Sequence, residues 1–134
     1  MLVKLYVQNY ALIRELDIEL ENGLTIITGE TGAGKTILLG ALSLILGNRA
    51  DTSVLLEKSE KCVVEGTFRI EEYDLAEFFN YNELDYDALA ILRREINPAG
   101  KSRAFINDTP VNLSVLKELG DRLIDIHSQH QTLG

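Results

Sequence analysis

Gly29-Glu30-Thr31-Gly32-Ala33-Gly34-Lys35-Thr36 fits the pattern G-x-x-x-x-G-K-[ST], a loop that cradles phosphate. The residues before it, Leu24-Thr25-Ile26-Ile27-Thr28, are apolar or β-branched and predict a buried strand. Residues 37–46 are apolar almost all round and predict a buried helix. Strand, glycine loop and helix form the setting in which this pattern binds phosphate. A glycine-rich turn that merely closed an αβ unit would have no need for Lys-Thr at the helix start.

Each residue type answers to a property of a triphosphate. Gly32 and Gly34 lack Cβ, so the backbone can curl and aim its N–H groups inward. Gly29, Glu30, Thr31 and Ala33 complete the cradle. The helix that starts near Gly34 adds the positive end of its dipole. Lys35 supplies a mobile point charge for the β- and γ-phosphates. The Thr36 hydroxyl is a ligand for Mg²⁺, which keeps most of its other positions for phosphate and water. Together these residues suit a triphosphate and its Mg²⁺.

The 134 residues, 46% of them hydrophobic, support one compact domain with a core. A formal net charge of -8 and a pI near 4.7 argue against a strong overall grip on nucleic acid, which calls for a basic surplus. A local basic patch stays open. Cys62 is the only cysteine, which excludes a disulfide framework and a cysteine-based zinc site and fits a reducing cytoplasm. No stretch reads as a signal peptide, and the longest apolar run is too short to span a bilayer. A cytoplasmic location without membrane contact is expected.

Alternation in residues 1–7 places Val3, Leu5 and Val7 on one face of a strand, opposite Lys4, Tyr6 and Gln8. Residues 9–14 predict a loop or bend. Leu16, Ile18 and Leu20 alternate with Asp17, Glu19 and Glu21 in a second strand, and Asn22-Gly23 marks a hairpin turn. The strand feeding the motif would then be third, antiparallel to the second. Gly40 costs its helix about 1 kcal/mol against Ala and implies close packing on the sheet. Gly47-Asn48 is the helix stop. Arg49 opens a polar connection, either as a phosphate or DNA contact or as a solvated surface arginine.

Residues 61–70 alternate again, with Cys62, Val64, Gly66, Phe68 and Ile70 sharing a face. Asp74 would cap a short helix over 74–80, followed by an acidic, aromatic loop whose rings pack in the core rather than on a base. Residues 89–96 and 102–106 predict strands around the turn Asn97-Pro98-Ala99-Gly100, and Asn107-Asp108-Thr109-Pro110 turns again. Arg93, Arg94, Lys101 and Arg103 make this hairpin the most basic part of the chain. It suits a nucleic-acid contact or a charged sheet edge that discourages aggregation. Asn112 or Ser114 would cap a helix to about Arg122, with Val115, Leu116 and Leu119 buried and Gly120 weakening its last turn. Leu123-Ile124-Asp125-Ile126 predicts a buried strand running into His127-Ser128-Gln129-His130-Gln131. Open α/β sheets place ligand groups at such strand ends. The two histidines have no third ligand nearby, which argues against a metal site of their own.

Several segments together carry a resemblance: residues 23–39, Leu46-Gly47-Asn48-Arg49-Ala50-Asp51, Ser102-Arg103-Ala104-Phe105-Ile106-Asn107, residues 123–130, and the opening Asn9-Tyr10-Ala11-Leu12-Ile13. Over nearly its whole length the chain resembles the RecN family of bacterial DNA repair proteins, in the SMC-like branch of ABC-type ATPases. The resemblance implies an α/β P-loop NTPase fold. Residues 1–134 would be the N-terminal lobe of an ABC/SMC-type head, with an antiparallel β subdomain beside the P-loop sheet. In that family the chain folds back through a long antiparallel coiled coil, its two ends meet in one head, and two heads sandwich two ATP molecules. The implied partners are the C-terminal lobe of the same head, a second head in a homodimer and, through the full-length protein, DNA. The implied role is ATP binding in recombinational repair of double-strand breaks, in a nucleoid-associated, cytoplasmic protein. Gln129 falls where the family's Gln loop helps hold Mg²⁺ and the attacking water. It lies 94 residues after Lys35, farther than in ABC transporter domains, and so favours the SMC-like branch.

The departures are equally specific. No strand of four apolar residues ends in Asp-Glu, no Leu-Ser-Gly-Gly signature is present, and no heptad coiled coil appears. The chain carries phosphate-binding parts without water-activating parts, and phosphoryl transfer needs metal and nucleophile placed together. Little or no ATP hydrolysis is expected from it alone. Two rival readings remain: a structural half-domain that binds nucleotide only after docking its C-terminal lobe, and a small P-loop kinase with Arg93, Arg94 and Arg103 as lid arginines.

Overall fold

A computed structural model describes the backbone of residues 1–20 and 32–133, and the side chains of residues 1–20 and 36–123. Within them the chain forms six strands, β1 (Leu2–Tyr10), β2 (Ile13–Glu19), β3 (Cys62–Arg69), β4 (Leu89–Ile96), β5 (Ser102–Ile106) and β6 (Thr109–Val111). Three α-helices accompany them: α1 (Gly32–Ile45), α2 (Ala76–Tyr81) and α3 (Leu113–Leu133), with a 3-10 turn at Thr52–Val54. The strands make one antiparallel sheet in the order β2-β1-β3-β4-β5-β6. The expected strand over residues 24–28, the Asn22-Gly23 turn and Gly29 to Thr31 lie outside the described residues.

The sheet is built by alternation. Cys62, Val64, Gly66 and Phe68 of β3 sit opposite Ile96, Arg94, Leu92 and Ala90 of β4, and all eight are buried. Leu5 and Val7 of β1 join them. The register of β1 against β3 shifts between Leu2 and Lys4. That bulge turns Leu2, rather than the expected Val3, into the core. On this face α1 packs against β3 and β4, and α3 against β5. Leu42, Leu44, Ile45, Leu116, Leu119 and Leu123 fill the space between.

The other face is polar. One row across it runs Asp17, Tyr6, Glu65, Arg93, Phe105 and Pro110, each opposite the next.

Several local expectations are corrected. Residues 9–14 are no loop: β1 continues to Tyr10 and only Ala11-Leu12 separate it from β2, with Tyr10 opposite Ile13. Asp74 does not cap α2. The helix starts after Leu75 with no side-chain cap, because burial of Leu75, Phe78 and Phe79 sets its entry. Thr109 and Pro110 belong to a sixth strand. Asn107 and Asp108 both take positive φ, 49° and 66°, giving the mirror-image turn that suits a two-residue hairpin. Pro110 is tolerated because β6 ends the sheet order. β4 and β5 are therefore interior strands, and their arginines do not guard an edge. Finally, Leu123-Ile124-Asp125-Ile126 is helical, within α3. Leu116, Leu119 and Leu123 continue one helical stripe, and a four-residue run with three apolar members cannot by periodicity alone declare itself a strand.

Candidate functional site: the helix of the glycine loop and its anchor

The helix α1 begins at Gly32, so Gly32, Ala33, Gly34, Lys35 and Thr36 form its first turn and a half. The first N–H groups of a helix have no partner within it and carry the positive end of its dipole. Five of the eight motif residues thus stand where a helix binds anions. Thr36 is exposed on this turn. Gln129 stands on α3, within a helix rather than at a strand's end. The strand-end argument for it therefore does not hold in this structure, and its side chain lies outside those described. Among the described residues no group of His, Cys, Asp and Glu forms a metal cluster.

The far end of α1 is described in detail. Gly47 has φ 97°, its N–H bonds Leu44 O at 3.3 Å, and the Asn48 N–H bonds Ser43 O at 3.1 Å. These are the two bonds of a Schellman stop. Arg94 completes it. Although fully charged in type, this residue is 1% exposed. Its Nη1 donates to Leu44 O at 2.9 Å and Asn48 O at 2.7 Å, and its Nε donates to Ser102 Oγ at 2.7 Å. All three acceptors are neutral, so the charge is met by carbonyl dipoles at the negative end of α1. Burial lowers the guanidinium's pKa from its ordinary value and pushes the neighbouring Cys62 thiol up to about 11.

Two close approaches fix the helix further. A Cβ on Gly120 would lie 2.5 Å from Leu46 O, so α3 crosses α1 where only glycine fits. A Cβ on Gly40 would meet the Tyr10 hydroxyl, which confirms the expected close packing at that position.

Arg49 follows the stop and is exposed, at the meeting of two cavities of about 440 and 430 Å³. The first is lined by Tyr10, Ser43, Asp51 and Ser53 as well, the second by Ser114 and Lys117. Asn9 holds the connection that follows. Its φ is 55°, its Nδ2 donates to Glu57 O and Glu60 O at 3.0 Å, and its Oδ1 accepts from the Glu57 N–H at 2.7 Å.

Sequence reasoning missed Asn9 and Arg94 as fixed points. For Arg94 a signal existed, since it shares the phase of Ala90, Leu92 and Ile96. Arg93 points the other way. Its Nη1 lies 3.5 Å from Glu65 and 3.2 Å from Asp108, its Nε lies 3.4 Å from Glu95, and its guanidinium covers the Phe105 ring at 4.4 Å. Arg93 and Arg94 are thus on opposite faces and already engaged, which removes the shared lid that a kinase reading needs.

A family model described as AAA domain matches residues 4–132. The chain is 46% identical over 134 residues to a DNA repair protein RecN of Haemophilus influenzae, covering 97% of this chain and 24% of that protein. It is 38% identical over 132 residues to the RecN of Bacillus subtilis, covering 97% and 23%. The chain therefore spans about a quarter of the length of the curated relatives it matches. Among solved structures it is similar to one from work on ATP-driven dimerization and DNA-stimulated activation of SMC ATPases. The TM-score is 0.69 at 17% identity, over 92% of this chain and 79% of the other. That likeness shows the α/β fold of an SMC-type head.

Proposed function

The chain belongs to the AAA domain family, and from that premise we propose that it is the ATP-binding N-terminal lobe of a RecN-like ATPase head acting in recombinational repair of DNA double-strand breaks. The observation that carries the reading is the placement of Gly32 to Thr36 in the first turns of α1, in a chain 46% identical to a DNA repair protein RecN.

The residues fit a nucleotide triphosphate. Backbone donors of Gly29 to Gly34 receive the phosphates, and Lys35 neutralises the β- and γ-oxygens. Thr36 and Gln129 would hold Mg²⁺, which would supply charge neutralisation when bound. The anchor at Gly47 and Arg94 keeps α1 from shifting when its other end takes up charge. The site needs its C-terminal lobe and a second head to position water. DNA would be engaged through the full-length protein, which we place in the cytoplasm at the nucleoid.

The test is a titration of the 134-residue chain with fluorescent ATP and Mg²⁺, beside Lys35→Ala. Saturable binding that the variant loses is expected. Equal absence of binding in both proteins would sink an autonomous nucleotide site and leave a lobe whose pocket forms only with its partner.

A further inference from the structure

The tip of the β4–β5 hairpin carries a second charged feature. Lys61, Glu95, Asn97, Lys101 and Arg103 line a recess of about 160 Å³ on the polar side of the sheet. Glu95 and Arg103 face each other across the register. Glu95 is the one carboxylate among these five, and it is already engaged twice, by Lys61 Nζ at 3.5 Å and by Arg93 Nε at 3.4 Å. Among the described residues the side chains of Lys101 and Arg103 have no hydrogen-bond or ion-pair partner. Asn97 is oriented by its own turn. Its Oδ1 accepts from the N–H groups of Ala99 at 3.0 Å and Lys101 at 2.9 Å. Its amide nitrogen is thereby left as a donor.

Three cations and an amide donor thus border one small recess, in a chain whose formal net charge is -8. Glu95 offsets one of these charges through Lys61, which leaves the charges of Lys101 and Arg103 for an added anion. The volume admits one phosphate-sized group and excludes a nucleoside. An arginine fork beside lysine point charges matches phosphate oxygens. We infer that this recess is a phosphodiester contact for a nucleic-acid backbone, separate from the nucleotide site at α1. The inference rests on reading the chain as part of a DNA repair ATPase. It is a positioning contact without sequence information, because phosphate contacts fix register and carry no base readout.

The experiment measures anisotropy of a labelled DNA duplex on the intact protein, across a salt series, with wild type, the double variant Lys101→Gln/Arg103→Gln, and Glu95→Gln. The double variant should bind about tenfold more weakly, with the slope of log affinity against log salt shallower by about 1 to 2. Glu95→Gln, which removes the competing carboxylate, should shift affinity the other way. It serves as the independent check if the double variant melts early. Fluorescent ATP binding should be unchanged in all three. Duplex binding by wild type with unchanged affinity and slope in both variants overturns the site while leaving the repair reading intact. A wild type that binds ATP but no duplex removes the repair reading and the site with it. Inorganic phosphate or an acidic peptide whose binding, unlike that of duplex, responds to the substitutions would assign the recess to a free anion or a protein segment instead, and refute the backbone contact.

Discussion

Arg93 and Arg94 are neighbours in the chain and opposites in the fold. Arg94 lies inside, 1% exposed, its three hydrogen bonds on neutral oxygens at the end of α1. Arg93 lies on the polar face among Glu65, Glu95 and Asp108. Pleating alone makes the difference, because successive side chains of a strand point to opposite faces. The contrast teaches that charge partners do not predict energetic weight. The arginine with three carboxylates is 25% exposed and its ion pairs are partly screened by water, whereas the one with none is indispensable to the groups around it.

The largest effect should come from Arg94→Ala, which strands Asn48 O and the Ser102 hydroxyl, leaves Leu44 O with the Gly47 N–H alone, and opens a void. We expect a loss of about 3 kcal/mol in urea unfolding. A loss below about 1 kcal/mol would erase the distinction between the two arginines. Next is Gly120→Ala on the same inner side. A helix interior ordinarily gains about 1 kcal/mol from this change. Here the new Cβ meets Leu46 O at 2.5 Å, so a net loss of about 2 kcal/mol is expected by the same measurement. A gain would mean that α1 and α3 can move apart freely. On the outer face, Arg93→Ala should cost no more than about 1 kcal/mol, and the difference from wild type should shrink further in high salt.

The last effect is confined to alkali and vanishes at neutral pH. Burial raises the Cys62 thiol from its ordinary 9.0 to about 11. The folded state therefore holds its proton more tightly than the unfolded state. The contribution is fully present below about pH 9 and is lost as pH rises toward about 11. Unfolding curves of wild type and Cys62→Ala should run parallel at neutral pH and converge or cross in that window. The hydroxyls of Tyr6, Tyr10 and Tyr73 are also raised, so the difference between the two proteins isolates the thiol.

Where the pattern is strictly two-residue, sequence and structure agree: β3 and β4 follow their alternation from end to end. The motif's helical half and the Gly47-Asn48 stop were equally readable, because each depends on local chemistry. Legibility fails where distant parts decide. Leu2 displaces Val3 because β3 imposes a bulge. Three residues, Thr109 to Val111, pass for part of a turn until Phe105 pairs with Pro110. Residues 123–126 read as a strand because a short apolar run fits either period. Arg94 was grouped with its basic neighbours by composition, while its phase with Leu92 and Ile96 already assigned it to the core. Gly120, read as a weak point in a helix, is the crossing that lets two helices touch.

The strand order has a kinetic consequence. β3 to β6 form a meander whose partners are close in sequence, and such pairs close quickly. β1 is different: it must find β3 across the roughly fifty residues between Tyr10 and Cys62, a detour that contains β2 and α1. The β1–β3 seam is therefore the slow one, and α1 is carried inside the chain segment that has to be closed. Folding of the sheet and placement of that helix become a single late event, so conditions that delay the β1–β3 seam would delay the seating of α1 by the same interval.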